Sequence, residues 1–156
     1  MPYRAKMEIN SDFKEILSLL ARHRVRYVVV GGYAVVHHAA PRFTKDLDLF
    51  VEATISNAKR LLKALRDFAG PLPELTAKML ADPDKVLMMG RPPTRIDILK
   101  SIHGVRFETA WKNRVRADLG GVVANIISRR DLRRNKRACG RPQDLIDLEW
   151  LSGKTT

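Results

Sequence analysis

The sequence has one cysteine, no long apolar run and no familiar phosphate-loop signature, and each absence narrows its class. Cys139 alone can form neither an intramolecular disulfide nor a cysteine-based zinc site, which excludes a disulfide scaffold. The longest apolar runs, such as Tyr27–Val30, fall far short of the roughly eighteen residues a membrane span needs. The opening MPYRAKMEINSDFKE lacks the apolar stretch of a signal peptide. Neither a GxxxxGK(S/T) loop nor a GxGxxG fingerprint occurs, and there is no internal repeat or low-complexity tract. These absences point to a soluble, cytoplasmic protein with no membrane association.

What is present is an ordinary globular composition with an unusual charge. At 156 residues the chain reads as a single domain, 1–156, with a core of about 25–127 and a basic C-terminal helical segment of about 128–152. Lys and Arg number 29 against 17 Asp and Glu, a formal charge of +12, which suits a polyanionic partner but also plain solubility. The bases concentrate at Arg129, Arg130, Arg133, Arg134, Lys136, Arg137 and Arg141, opposed only by Asp131.

The hydrophobic pattern predicts mixed strands and helices. Phe13, Ile16, Leu17 and Leu20 recur at helical spacing behind a cap at Asp12, and Leu61, Leu62, Leu65 and Phe68 do so behind Ser56. Arg26–Val30, Asp46–Glu52, Lys85–Met89 and Thr94–Leu99 read as strands. Asn113–Ala117 and Val122–Ile127 read as a strand pair about Gly120-Gly121. Ser128 caps a basic helix, and Gln143–Leu151 forms a last helix with Leu145, Leu148 and Leu151 facing the core. Met79, Met88 and Met89 read as core filler. Without strict alternation of strand and helix, the class is α+β, or mixed α/β.

The chemistry concentrates in VVVGGYAVVHHAAPRFTKDLDLFVE. Asp46 and Asp48, two apart on a strand, share a face and can hold one hard cation between them, whereas Leu47 and Leu49 anchor the other face. An Asp-x-Asp pair is also a common accident. Gly31 and Gly32 would let phosphate oxygens approach backbone N–H groups at a helix N-terminus, or simply make a tight turn. Arg42, Thr44 and Lys45 can contact phosphate, or be solvated loop residues. Asp97 is an acid in an otherwise apolar strand, costly unless it pairs with an arginine or binds metal. His37 and His38 are adjacent and suit a shared metal poorly, and His23 and His103 have no visible partner.

The GG–(x)9–RxTxDLDL pattern, the later IDI acid and the terminal KRACGRPQDLIDLEWL together resemble the minimal nucleotidyltransferases of the DNA polymerase β-like superfamily. Within it they are most similar to the AbiEii-type toxin group. The likeness runs from about Val25 to Leu151. It departs from the wider superfamily at Gly32, where a serine is usual.

The resemblance implies a nucleotidyltransferase fold, a small mixed sheet flanked by helices with a C-terminal helical segment. It implies that Asp46, Asp48 and Asp97 bind two Mg²⁺ ions (Mn²⁺ being an alternative), with Asp97 as general base for the acceptor hydroxyl. Gly31, Gly32, Arg42 and Thr44 would contact the triphosphate, and Lys136, Arg141 and Asp144 the nucleotide or acceptor. Asp144 and Asp147 can equally serve the dipole of the helix after Pro142. The implied reaction is in-line attack of a hydroxyl on the α-phosphate with loss of pyrophosphate. The partners are then a nucleoside triphosphate, an RNA (tRNA in particular) or protein acceptor, and a cognate antitoxin. Two rivals stand beside this: a non-catalytic nucleic-acid-binding module using residues 129–141, and a small-molecule nucleotidyltransferase, which the surplus of bases disfavours.

Overall fold

A computed structural model describes residues 9–153, whose strands form a six-stranded mixed sheet. Its centre is β1 (Tyr27–Val30), buried at all four positions, as a β-branched and aromatic run covered on both faces should be. On one side β2 (Leu47–Val51) pairs with it antiparallel, and on the other β6 (Val122–Ile126) pairs parallel. Next to β2, β4 (Ile96–Leu99) runs parallel. The edges are β3 (Leu87–Met89) and β5 (Val115–Leu119), antiparallel to β4 and β6, so the order is β3-β4-β2-β1-β6-β5. The fold is α+β, as expected, and consistent with a nucleotidyltransferase-like architecture.

The helices close the core. In α1 (Ser11–Arg22), Phe13, Ile16, Leu17 and Leu20 are fully buried, and the helix packs on α3 (Ile55–Ala69), which contributes Leu61 and Leu65. Each such side chain contributes roughly 1.5–3 kcal/mol through burial. Two caps differ from expectation: Asn10, not Asp12, accepts from Phe13 N–H, and Thr54, not Ser56, accepts from Asn57 N–H. In both cases the helix begins early enough that the expected cap already lies inside its first turn. Buried Asn57 accepts from Arg26 N–H at 2.8 Å and donates to the Arg26 and Glu52 carbonyls at 3.1 and 3.0 Å. It thereby ties the start of β1 to the residue just past β2.

The remaining helices are α2 (Gly31–His38), α4 (Ala77–Leu80), α5 (Phe107–Asn113), α6 (Arg129–Cys139) and α7 (Pro142–Leu151). Ser128 caps α6 as expected, accepting from Asp131 N–H. Of Leu145, Leu148 and Leu151, expected to face the core from α7, only Leu151 is buried. Leu145 is exposed, and the buried residues are Asp144, Asp147 and Leu151. The helix turns its acids inward because bases wait there. Met79 and Met88 are exposed, so they do not fill the core, and Met89 is only half-buried.

Candidate active site

Strand register builds an acidic face. β2 and β4 pair in parallel with Asp48 opposite Asp97, and the same register continues backwards to set Arg95 beside Asp46. Four side chains, Asp46, Asp48, Arg95 and Asp97, therefore share one face, while Leu47, Leu49, Ile96 and Ile98 are buried on the other. Arg95 donates through Nε to Asp97 Oδ1 at 2.9 Å and through Nη2 to Asp97 Oδ2 at 3.1 Å. The same Nη2 reaches Asp46 Oδ2 at 2.9 Å. Asp97 thus does not point away; it is salt-bridged and still beside Asp48. Burial, then the charges of Asp97 and Asp46 and a hydrogen bond with Asp97, push the Asp48 carboxyl up to about 7, with Lys136 opposing. Asp46 Oδ1 is buried without a hydrogen-bond partner. With Arg95 between Asp46 and Asp97, no three acid, histidine or cysteine side chains among the described residues gather as they stand around one ion-sized point.

The two glycines make room for this face. Gly31 opens α2 with φ of 68°, and a Cβ there would lie 2.2 Å from Asp48 Oδ2. A Cβ on Gly32 would lie 2.2 Å from Thr44 Oγ1 and 3.2 Å from Arg42 Nη2. Gly-Gly is needed because Asp48 and the Arg42–Thr44 loop press directly on the backbone at the start of α2.

The terminal motif forms a chain of alternating charges. Lys136, on α6 and 5% exposed, reaches Asp144 Oδ1 at 3.2 Å and Asp147 Oδ2 at 3.0 Å. Asp147 also meets Arg42, whose Nη2 donates to Oδ2 at 3.2 Å, and accepts from Gln143 at 2.9 Å. Arg141 Nε donates to Asp144 Oδ2 at 2.7 Å. Burial raises the Asp144 pKa, but hydrogen bonds from Arg141 and Lys136 outweigh it and hold the group below its ordinary value. A buried acid depends chiefly on its buried countercharge, here Lys136, and far less on an exposed one such as Arg141. The chain Arg42–Asp147–Lys136–Asp144–Arg141 therefore fastens the loop before β2 to both C-terminal helices.

Between these walls lies a cleft of about 720 Å³, lined by Gly31, Gly32, Arg42, Phe43, Thr44, Lys45, Asp46 and Asp48 on one side. Ser101, His103, Asn135, Lys136, Cys139, Arg141 and Asp144 line the other. The volume lies in the range of small-ligand sites. A family model described as a nucleotidyltransferase of unknown function (DUF6036) matches residues 7–152. The chain belongs to that family. No curated protein sequence matches it. A nucleotidyltransferase uses nucleotide substrates, and this one has, among its described residues, no helix long and apolar enough to cross a membrane.

The sites named from sequence fall into two groups. Gly31, Gly32, Thr44, Asp46 and Asp48 come together at the cleft, with Asp97 behind Asp48 on the next strand. Arg42, Lys136, Arg141 and Asp144 also line the cleft but are engaged with one another, Arg42 and Lys136 through Asp147, and Lys136 and Arg141 through Asp144. Three residues of the site had not been singled out for it: Arg95, Asp147 and Asn135, the last donating to the His103 carbonyl at 2.9 Å. Arg95 precedes β4 as Asp46 precedes β2, and only the parallel pairing of the two strands sets them side by side. His23 does have a partner, Asp67, at 2.6 Å, and His38 Nε2 lies 2.6 Å from the Ile127 carbonyl oxygen, away from any metal role.

Proposed function

We propose that this protein is a divalent-metal-dependent nucleotidyltransferase moving a nucleoside monophosphate from a triphosphate onto a hydroxyl acceptor. The single observation that carries this is an acidic face, with Asp46 and Asp48 lining a base-rich cleft, Asp48 set against Gly31, and Asp97 beside Asp48 on the next strand. The donor set fits a hard cation: all ligands are carboxylate oxygens, one buried oxygen of Asp46 has no hydrogen-bond partner among the described residues, and burial, then the charges of Asp97 and Asp46, push the Asp48 carboxyl up to about 7. Asp46 and Asp48 would hold the ions, with Asp97 beside the second. Mg²⁺ or Mn²⁺ bound there supplies Lewis-acid stabilisation of charge on the phosphates.

The chain's own residues do the rest. Asp97 takes the proton of the acceptor hydroxyl. Gly31, Gly32 and Thr44 sit where α2 directs its backbone N–H groups, and contact the triphosphate. Arg42, Lys136, Arg141 and Asp144 shape the opposite wall for nucleotide or acceptor, held in place through Asp147.

The acceptor is an RNA, a tRNA 3′ end in particular, or a protein side chain. Support for a nucleic acid comes from α6, where Arg130, Arg134 and Arg137 are exposed at i, i+4 and i+7 and form one solvent-facing stripe. The resemblance of its motifs to AbiEii-type toxins supports reading it as the toxin of a toxin–antitoxin pair acting in the cytoplasm.

The test is transfer of label from each nucleoside triphosphate, with Mg²⁺, to total RNA or cell extract, compared with Asp46→Ala and Asp48→Ala. Labelled product lost in both variants is expected. Transfer surviving both substitutions would overturn the assignment. Salt-sensitive RNA binding without any transfer would instead favour the binding-module alternative.

A further inference from the structure

We propose that Arg95 is the resident counter-ion of the acidic face and competes with the divalent ion for Asp46 and Asp97. This rests on the metal-dependent reading above and extends it to a residue that reading does not use.

Register sets Arg95 two residues before Asp97 on the same face, which brings its guanidinium within reach of the acids. Its fork engages both oxygens of Asp97, at 2.9 and 3.1 Å, and one oxygen of Asp46, at 2.9 Å. A planar guanidinium bonded to both carboxylates occupies lone pairs that Asp46 and Asp97 would otherwise offer to an ion. Those lone pairs cannot hold both at once. The arginine that bridges Asp46 and Asp97 also leaves Asp46 Oδ1 buried and unpaired, so the single guanidinium does not satisfy the site.

Release is structurally cheap. The Arg95 side chain is 32% exposed and makes no other ion pair among the described residues, so it can swing outward without unpacking Ile96 or Ile98 beneath it. Arg95 is thus a positioning residue. It keeps the acids from repelling one another, and it sets a threshold that the incoming ion must exceed.

The test uses the full chain and Mn²⁺ alone. Calorimetric titration of the wild type, Arg95→Gln and Arg95→Lys gives the affinities, with Asp46→Asn and Asp48→Asn as controls for the site. Arg95→Gln should bind Mn²⁺ about tenfold tighter than wild type, the size of one strong charge-assisted contact. Arg95→Lys keeps the charge but loses the fork. Its affinity should move most of the way towards that of Arg95→Gln; a value equal to wild type would mean that the charge acts only through space, and would overturn displacement. In the unmodified protein, the Arg95 side-chain Nε–H resonance should leave its hydrogen-bonded position as Mg²⁺ saturates the site, a readout independent of any variant's folding. Ion binding with that resonance unmoved overturns the role of Arg95 and spares the metal site. No binding up to millimolar Mn²⁺ in any of the three proteins overturns both.

Discussion

Asp48 and Gly31 are in such close apposition that a Cβ on the glycine would lie 2.2 Å from the carboxylate oxygen. The glycine therefore has two reasons to lack a side chain, because its φ of 68° is also one that L-residues rarely adopt. Gly31→Ala is expected to cost about 1–3 kcal/mol, roughly 3–10 °C in melting temperature, and to push Asp48 off the acidic face. Nucleotidyl transfer should fall at least about a hundredfold, as misplacement of a reacting group does. Gly32→Ala meets the side chains of Thr44 and Arg42 and carries no positive-φ strain, so it should be the milder variant. Thermal melts and transfer assays of the pair check this, and equal effects would show that Asp48 is not what requires Gly31.

The same carboxylate makes stability depend on pH. Its folded pKa, about 7, exceeds the unfolded value of 3.8, so between these limits the folded state binds more protons than the unfolded one. Stability is therefore greatest below about pH 4 as far as this group is concerned, declines as pH rises towards 7, and is level above. The loss is on the order of a few kcal/mol. Asp48→Asn should remove this slope and melt higher than the wild type at pH 8 without metal. Millimolar Mg²⁺ at pH 8 should raise the melting temperature of the wild type and not that of Asp48→Asn. An unchanged slope in Asp48→Asn would place the titration elsewhere.

Legibility from sequence followed the range of the interactions involved. The acids Asp46, Asp48 and Asp97, and the alternation that turns them away from the core, were readable because strand period is a local property. So was the Ser128 cap, an interaction three residues long. Arg95 was passed over because its role exists only once β2 and β4 lie parallel in one register, and a single sequence does not state which strands pair. The inward face of α7 is hidden in the sequence for a related reason. Leu145 and Leu148 outrank acids as core residues until Lys136 and Arg42, distant in sequence, supply the countercharge for Asp144 and Asp147.

That network makes an unequal forecast for two bases in the same motif. Lys136 is buried between two acids, so Lys136→Met strands both of them with weakened compensation and should cost about 3–5 kcal/mol. Among the described residues Arg141 forms an ion pair with Asp144 alone, and its side chain is 73% exposed, so Arg141→Ala should cost about 1 kcal/mol or less. Denaturant melts of the two variants measure the difference. A small effect at Lys136 would mean that Arg42 and Arg141 suffice to hold α7, and that the alternating chain is not the fastening between the helices and the loop.

The stripe on α6 offers a separate test of the acceptor. Arg130, Arg134 and Arg137 are exposed and make no ion pair among the described residues, so replacing all three with alanine removes charge without removing packing. Alanine is also the best helix former, so α6 should stay intact and the melting temperature should change little. If a single-stranded RNA end is the acceptor, each arginine that neutralises a phosphate contributes about 0.7 to the slope of log affinity against log salt. The triple variant should then show a slope shallower by about 2, with weaker RNA binding at every salt concentration. Mn²⁺ affinity should be unchanged, because the stripe lies on the solvent face of α6, away from Asp46 and Asp48. A triple variant whose RNA affinity and salt slope both match the wild type would remove α6 from the acceptor site. It would shift the assignment towards a protein acceptor, since the nucleotide cleft itself would be untouched.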